Sequence, residues 1–315
     1  MCRKTSTSIA AVGDGVAVAG GPQLSGRADV DFLSRTQWWN WYEPNTTKAE
    51  KRLIFKLDVF ILSYTCLSFF VKYLDQTSIT NAFVTGMQQA LKIDNNELNW
   101  LTTYYNIGII VGAPFFTFGL TVVPPRYWLP GSTLIMALFV LSMFRAENIQ
   151  ALYGLRFCAG LFASGIQPGS YYIIGSWYRK SEISRRSGIF TISSIAGGML
   201  SGPIQSGLVN NIRDRGAIAA WQWLFILDAI ISIPVAIFGI IGCPDEPRSE
   251  KIWWMTETER EIAIHRLKTE GRDSESTLEL SVLKRIFTSW QYYIFPLAYW
   301  CVYRLIIRWP REASP

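Results

Sequence analysis

Residues 155–186 read LRFCAGLFASGIQPGSYYIIGSWYRKSEISRR. Arg156 lies inside an apolar run, Pro168 follows among small residues, and Trp177 precedes a cluster of bases. An aromatic residue followed by arginine and lysine is typical of the cytoplasmic end of a membrane helix. The small residues favour close packing against neighbouring helices. This stretch therefore predicts a membrane-spanning helix and not the core helix of a soluble domain.

The composition of the whole chain agrees with that prediction. Of its 315 residues, 50% are hydrophobic and 17% are charged, whereas soluble domains carry about a quarter of charged residues. The net charge is +6, but the bases lie in the gaps between apolar runs, which argues against a nucleic-acid partner. The five cysteines have no metal-ligand spacing, so we expect structural thiols, no metal and no cofactor.

Six apolar stretches are long enough to cross a bilayer, which takes roughly 20 helical residues. They cover residues 57–74, 98–120, 129–144, 152–178, 189–209 and 221–242. A seventh stretch begins near Ile286 and is interrupted at Arg304. We therefore predict an all-α membrane fold with the lipid bilayer as its surroundings. Its parts are a disordered cytoplasmic tail (1–50), a six-helix bundle (51–242), a cytoplasmic linker with an amphipathic helix (243–285), and an incomplete seventh helix with an aberrant tail (286–315).

The distribution of bases predicts the orientation. Lysines and arginines precede the first stretch and follow the fourth and sixth, while the other gaps hold fewer bases. By the positive-inside rule, the amino terminus faces the cytoplasm. In the linker, Thr256 precedes Glu259 by three residues, the spacing of a capping box, which predicts a helix start there. We expect His265, on that helix, to be solvated.

Ionisable groups at membrane depth are candidates for a substrate or proton pathway. Arg156 could attract a carboxylate and act on the proton of a nearby acid, or it could extend outward to the membrane surface. Lys72 and Asp75 lie one helical turn apart on the first stretch, so they could serve the substrate or neutralise each other. For Asp228, in the sixth stretch, we expect a structural role beside a base or polar neighbour.

Other residues are candidates for hydrogen bonding and for movement. Tyr104, Asn106 and Gln167 could contact a substrate, although tyrosines near helix ends are often interface anchors. Small residues and prolines allow helices to approach closely or bend. Those expected to act in packing and conformational change are Gly160, Gly165, Pro168, Gly169, Gly198, Gly202 and Pro203.

Several motifs resemble those of the major facilitator superfamily, and within it the fungal allantoate permease group of anion:cation symporters, especially its pantothenate-transporter-like members. The resemblance covers roughly residues 38–302. The residues that carry it are Tyr73-Leu74-Asp75 with Ile79 and Asn81, Arg156-Phe157, Gly160, Gly165, Pro168-Gly169, Trp177-Tyr178, Glu182, Trp221 through Ile226, and Pro244 through Pro247.

The resemblance implies the amino-terminal six-helix half of a facilitator fold. We expect no enzyme activity, since none of the common catalytic motifs is present in the sequence.

 The implied activity is proton-coupled uptake of a small organic anion across the plasma membrane. Pantothenate is the first candidate, followed by a related vitamin or monocarboxylate such as allantoate or nicotinate. The resemblance also links Arg156 to proton coupling and the loop at Arg126 to gating.

The sequence departs from the group in two places and leaves alternatives open. Ala163 stands where the group usually has glutamate, and the loop around Arg126 lacks the Gly-Asp pattern of other facilitators. The arginines and proline after Tyr303 also allow a truncated fragment that transports nothing, or a half-transporter that associates with a second half or a full-length relative. The Gly-Pro pair in the fifth stretch leaves a drug:proton antiporter as a further alternative.

Overall fold

The computed structural model describes residues 41–42, 46–93, 95–212, 218–245, 252–270, 288–290 and 293–302. Most of the predicted amino-terminal tail, and the tail after residue 302, lie outside these residues. The chain divides into two units, Met1–Lys51 and Arg52–Pro315. Every regular element in the described ranges is helical, as the composition predicts.

The six predicted spans fall in six helices. These are α1 (Lys48–Ala90), α2 (Asn95–Val122), α3 (Pro125–Ser142), α4 (Ile149–Trp177), α5 (Lys180–Ile212) and α6 (Ala220–Gly242). Two further helices are α7 (Glu257–Lys268) in the linker and the short apolar α8 (Tyr293–Val302).

Five of the helices in the described ranges, α1 to α4 and α6, are long and apolar enough to cross a membrane. The fifth predicted span is a helix of 33 residues, which is ample length. Its many serines and glycines, together with Gln205, make it less apolar than the others. That α5 spans the membrane therefore stays a prediction, supported by outward-facing apolar side chains such as Ile192 and Met199.

Local sequence signals explain where several helices begin. At the start of α1, the Thr47 backbone N–H donates to the Glu50 carboxylate (2.9 Å), and the Glu50 N–H donates to the Thr47 hydroxyl (3.3 Å). This is a reciprocal capping box. Pro125 occupies the first turn of α3, where its missing N–H has no cost. In α7, the Thr256 N–H donates to the Glu259 carboxylate (3.1 Å), so the predicted linker helix is present.

Two helices are interrupted at defined points. Wide π-type turns occur in α1 at Asp58–Leu62 and Phe83–Met87, the second holding Gly86 at φ 122°, a conformation that favours glycine. In α4, the helix breaks between Ala163 and Ile166. Pro168 lies in the turn that follows and has no N–H to bond across the break. Such turns change the direction in which later side chains point.

The bundle is built from close helix pairs. α2 packs on α4, α1 packs on α5, and α6 packs on both α3 and α1, while α3 also contacts α4. At the α2–α4 contact, any side chain at Gly160 would collide with the backbone carbonyl of Tyr105. Small residues there let the two backbones approach.

The glycines expected to permit packing are not equally crowded. A side chain at Gly165 would strike the ring of Phe116, and one at Gly169 would strike Leu129. In α5, Gly198 and Gly202 are less crowded within the described residues, and their role in packing and movement stays a prediction. A side chain at Gly202 would meet nothing within 4 Å, and one at Gly198 would meet only an ordinary contact at 3.9 Å. The crowded position is the neighbouring Gly197, which lies against the backbone of Phe70.

Candidate functional site

Five polar side chains from four helices are buried together inside the bundle. We call them the buried charge cluster, and they are Lys72 and Asp75 of α1, Tyr105 of α2, Arg156 of α4 and Asp228 of α6. The exposed fraction of each residue is 6% or less. The helix contacts explain the grouping of the other four, because α1 packs on α6 and the close α2–α4 approach places Tyr105 beside Arg156. Lys72 is grouped with them because it lies one helical turn before Asp75 on α1.

Arg156 lies at the centre of this cluster. Its Nη1 and Nη2 atoms are each 3.5 Å from the backbone oxygen of Asp75, and its Cζ is 5.7 Å from the ring centroid of Tyr105. The guanidinium also interacts electrostatically with the carboxyl groups of Asp75 and Asp228. With an exposed fraction of 2%, Arg156 does not extend to the membrane surface, so that alternative is wrong.

The two acids of the cluster have few hydrogen-bond partners. Within the described residues, neither carboxylate oxygen of Asp75 accepts a hydrogen bond, and neither does Oδ2 of Asp228. The two carboxyl groups interact with each other as well as with Arg156. Burying polar atoms without partners is unfavourable, so this arrangement is one that a proton or a ligand would stabilise.

Lys72 is surrounded differently from Arg156. Its Nζ lies 5.6 Å from the ring centroid of Phe69 and 5.9 Å from that of Tyr73, which gives the ammonium cation–π contacts. The part of the chain that the structure describes contains no ion pair between Lys72 and Asp75. The predicted mutual neutralisation is therefore not what the structure shows.

The remaining candidates are not among the buried groups of the cluster. Tyr104 is half-buried and stacks on Tyr153 at 4.8 Å between ring centroids. Asn106 and Gln167 are exposed. Arg126 is half-buried beside Tyr127, and its role in gating stays a prediction.

Sequence reasoning missed Tyr105 although it named the residues on either side. The signal lies in the spacing. Tyr105, Gly108 and Gly112 recur at intervals of three and four residues, which places them on one helix face. Because both glycines lack room for a side chain against α4, that face carries Tyr105 toward Arg156.

A second set of charges ties the linker to the helix ends. We call it the linker-end network. Asp58, in the first π-type turn of α1, accepts hydrogen bonds from Arg186 Nε (2.7 Å), Arg186 Nη2 (3.1 Å) and the Tyr178 hydroxyl (2.9 Å). Arg186 also lies over the Tyr178 ring, 4.4 Å from its centroid. The members of the network are Lys56, Asp58, Tyr178, Glu182, Arg186, Glu259 and Arg266.

Two ion pairs in this network hold α7. Arg266 pairs with Glu182 of α5, and Lys56 of α1 pairs with Glu259 at 2.7 Å. Burial raises the pKa of Glu259, but the Lys56 ammonium and the Thr256 N–H lower it by more. The pKa of Glu259 therefore lies below its ordinary value. From the sequence, the bases of this network predicted only the orientation of the chain. Their pairing with Glu259, Asp58 and Glu182 was not predicted.

Several known proteins are similar to this chain in sequence. PfmaC, an MFS transporter of Pestalotiopsis fici, is 50% identical over 263 residues, which are 83% of this chain and 50% of PfmaC. The pantothenate transporter liz1 of Schizosaccharomyces pombe is 36% identical over 246 residues, 78% of this chain and 48% of liz1. The pantothenate transporter FEN2 of Saccharomyces cerevisiae is 35% identical over 256 residues, 79% of this chain and 50% of FEN2. The chain thus spans about half the length of these curated relatives.

The solved structures give the same fold. The xylose transporter XylE of E. coli, in a partially occluded inward-open conformation, superposes with a TM-score of 0.53 over 70% of this chain and 54% of XylE. The sequence identity is 14%, so this similarity concerns the fold alone. Residues 65–308 match the family description of the Major Facilitator Superfamily. The chain belongs to the Major Facilitator Superfamily.

Proposed function

We propose that the gene product takes up a small organic anion together with protons, and that pantothenate is the substrate to test first. The observation that carries the proposal is the buried charge cluster, with its ionisable groups held at membrane depth and its carboxylate oxygens lacking hydrogen bonds. Groups of this kind are costly in a membrane and are typical of ion and substrate pathways. The two pantothenate transporters that resemble the chain support the choice of substrate.

The acids supply the proposed proton sites. Asp75 and Asp228 interact electrostatically with each other and share one nearby cation, Arg156. Two carboxylates close together repel each other, and a proton on either one removes that repulsion. A proton taken from outside would thus be carried by this pair and released when the site opens to the cytoplasm.

The proposed movement uses the interruptions in the helices. In facilitators, two six-helix halves rock around a site near the middle of the membrane. The break in α4 near Gly165 and Pro168 lies beyond Arg156 on the same helix, while Gly160 keeps that helix against α2. The first half of α4 would therefore stay fixed on α2 while the second half adjusts.

The cellular setting is part of the same proposal. We place the protein in the plasma membrane with its amino terminus in the cytoplasm and assign it to the allantoate permease group. The paired bases of the linker-end network support this orientation because cytoplasmic segments are enriched in lysine and arginine. In this proposal, a second half, in the same gene product or in a partner, completes the rocking pair.

The test is uptake of radiolabelled pantothenate by yeast cells that lack their own pantothenate transport. The cells express the full coding region of the gene with a fluorescent tag that reports surface level. We expect accumulation that a protonophore abolishes. Normal surface expression without accumulation would refute pantothenate as the substrate, and accumulation that ignores the protonophore would refute proton coupling.

A further inference from the structure

We infer that Lys72, and not Arg156, binds the substrate carboxylate, and that the cluster takes up one proton with each monoanion. This inference rests on the proposed function and deepens it by assigning the anion site. It reverses the expectation from the sequence, in which Arg156 attracts the carboxylate.

The surroundings of Lys72 leave its charge available. The exposed fraction of the residue is 6%, and its ammonium lies over the rings of Phe69 and Tyr73. Aromatic rings stabilise a cation but accept no conventional hydrogen bond, while the ammonium has three donors. No carboxylate pairs with Lys72 in the described ranges. A substrate carboxylate would supply the missing counter-charge.

Arg156 is already engaged. Both of its terminal nitrogens face the backbone oxygen of Asp75, and its charge interacts with two carboxyl groups. A substrate anion at Arg156 would lie beside the carboxylates of Asp75 and Asp228, which carry the same charge and would repel it. The two cations of the cluster therefore have different partners. Arg156 interacts with the two acids, and Lys72 binds the substrate anion.

Charge balance then couples the two ligands. With both acids ionised, Lys72 and Arg156 offset Asp75 and Asp228, and the cluster is neutral. Binding of a monoanion at Lys72 adds one negative charge, and a proton on either acid restores neutrality. Because net charge buried in a membrane is unfavourable, each ligand favours binding of the other, and this coupling is reciprocal.

The other groups facing the cluster do not change this count. Tyr105 of α2 interacts with Arg156 and Asp75, and the Lys72 ammonium lies over the ring of Tyr73 of α1. α5 contributes the ring of Phe190, which stacks on Phe69. The charged groups from α6 and α4 are Asp228 and Arg156, which are already included in the count.

Substitution of Lys72 tests the anion site in the uptake assay described above. In Lys72→Met we expect KM for pantothenate to rise about tenfold to hundredfold, which is the loss of affinity expected when one hydrogen bond to a charged group is removed. Lys72→Arg should restore part of the affinity. Lys92→Met is the matched control, since Lys92 is an exposed lysine in the turn that follows α1, and its KM should equal that of the wild type.

An uncharged analogue separates recognition of the carboxylate from general damage. Panthenol carries an alcohol where pantothenate carries the carboxylate. We expect panthenol to compete weakly with pantothenate in the wild type, and Lys72→Met to lose that discrimination. An unchanged KM together with unchanged discrimination would overturn the inference. Absence of uptake in the wild type would instead overturn the proposed function.

A measurement on the wild type keeps the inference testable if Lys72→Met does not reach the surface. In proteoliposomes, one proton should enter with each pantothenate and uptake should be insensitive to membrane potential. A different ratio, or uptake that moves net charge, would overturn the inference.

Discussion

The buried charge cluster and the linker-end network contain similar residues but are partnered in opposite ways. In the linker-end network, Arg186 reaches both carboxylate oxygens of Asp58, and Arg266 pairs with Glu182. In the buried charge cluster, both carboxylate oxygens of Asp75 lack hydrogen bonds among the described residues. Charges that are satisfied by the protein hold helices together, whereas charges left partly unsatisfied are available to a ligand.

The largest expected effect comes from removing the cation that the two buried acids share. Arg156→Gln should abolish pantothenate uptake, because Asp75 and Asp228 would lose their common counter-charge. Uptake and surface fluorescence are measured together, with the exposed Arg145→Gln as control. Uptake retained by Arg156→Gln would show that the acids operate without a cation, and the comparison between the two regions would fail.

The next effect is on stability. Arg186→Gln should destabilise the fold by about 3–5 kcal/mol, the cost of leaving one member of a buried pair alone. Asp58 would lose two hydrogen bonds and its counter-charge, and the Tyr178 ring would lose the guanidinium that lies over it. The unfolding temperature of the purified protein in detergent is the measurement.

Its control is the adjacent arginine. Arg185 is half-exposed, and no ion pair to it is found in the part of the chain that the structure describes. Arg185→Gln should therefore unfold at the wild-type temperature. Equal effects of the two substitutions would contradict a specific role of the Asp58 contact.

A smaller effect tests whether Asp228 couples transport to the proton gradient or has only a structural role. Asp228→Asn should reduce accumulation driven by a proton gradient about tenfold, within the usual range of coupling between two sites. Exchange of internal for external substrate should continue, because Lys72 and Arg156 remain. An unchanged response to the gradient would return Asp228 to the structural role expected from the sequence.

The smallest effect lies at the surface of the linker-end network. Glu259→Gln should cost about 1 kcal/mol, since the Lys56 side chain is partly exposed and surface pairs contribute little. The pKa of Glu259 is lower in the folded state than its ordinary value. The pair therefore stabilises the fold at neutral pH, and this contribution is lost as the pH falls below about 4.5.

Acid unfolding measures this contribution. The wild type should lose stability between about pH 4.5 and more acidic values, and Glu259→Gln should lose less over the same interval. Glu261→Gln, at an exposed carboxylate on the same helix that has no ion pair among the described residues, should behave like the wild type. Identical acid profiles for all three proteins would show that the Lys56 pair does not stabilise the linker.

Much of the fold could be predicted because its signals are local. The length of apolar runs gives the helices, and the spacing of Thr256 and Glu259 gives the start of α7. The partners of Asp228 and Arg186 could not be predicted, because they depend on which face of one helix meets another. A single sequence shows that Arg186 is a base after a membrane stretch, but not that α1 presents Asp58 to it.

The helix α1 contributes residues to both regions, so the rotation of its later part relative to the turn at Asp58–Leu62 must suit both sets of contacts. Asp58 meets Arg186 within this turn, and Lys72 and Asp75 follow on the same continuous helix. Deleting one residue from the regular helix between this turn and Lys72 would rotate all that follows by about 100°. Asp75 would then point away from Arg156 while the Asp58 contact stayed in place. A transporter with intact architecture and no coupling could thus arise from the loss of a single codon, with no charged residue altered.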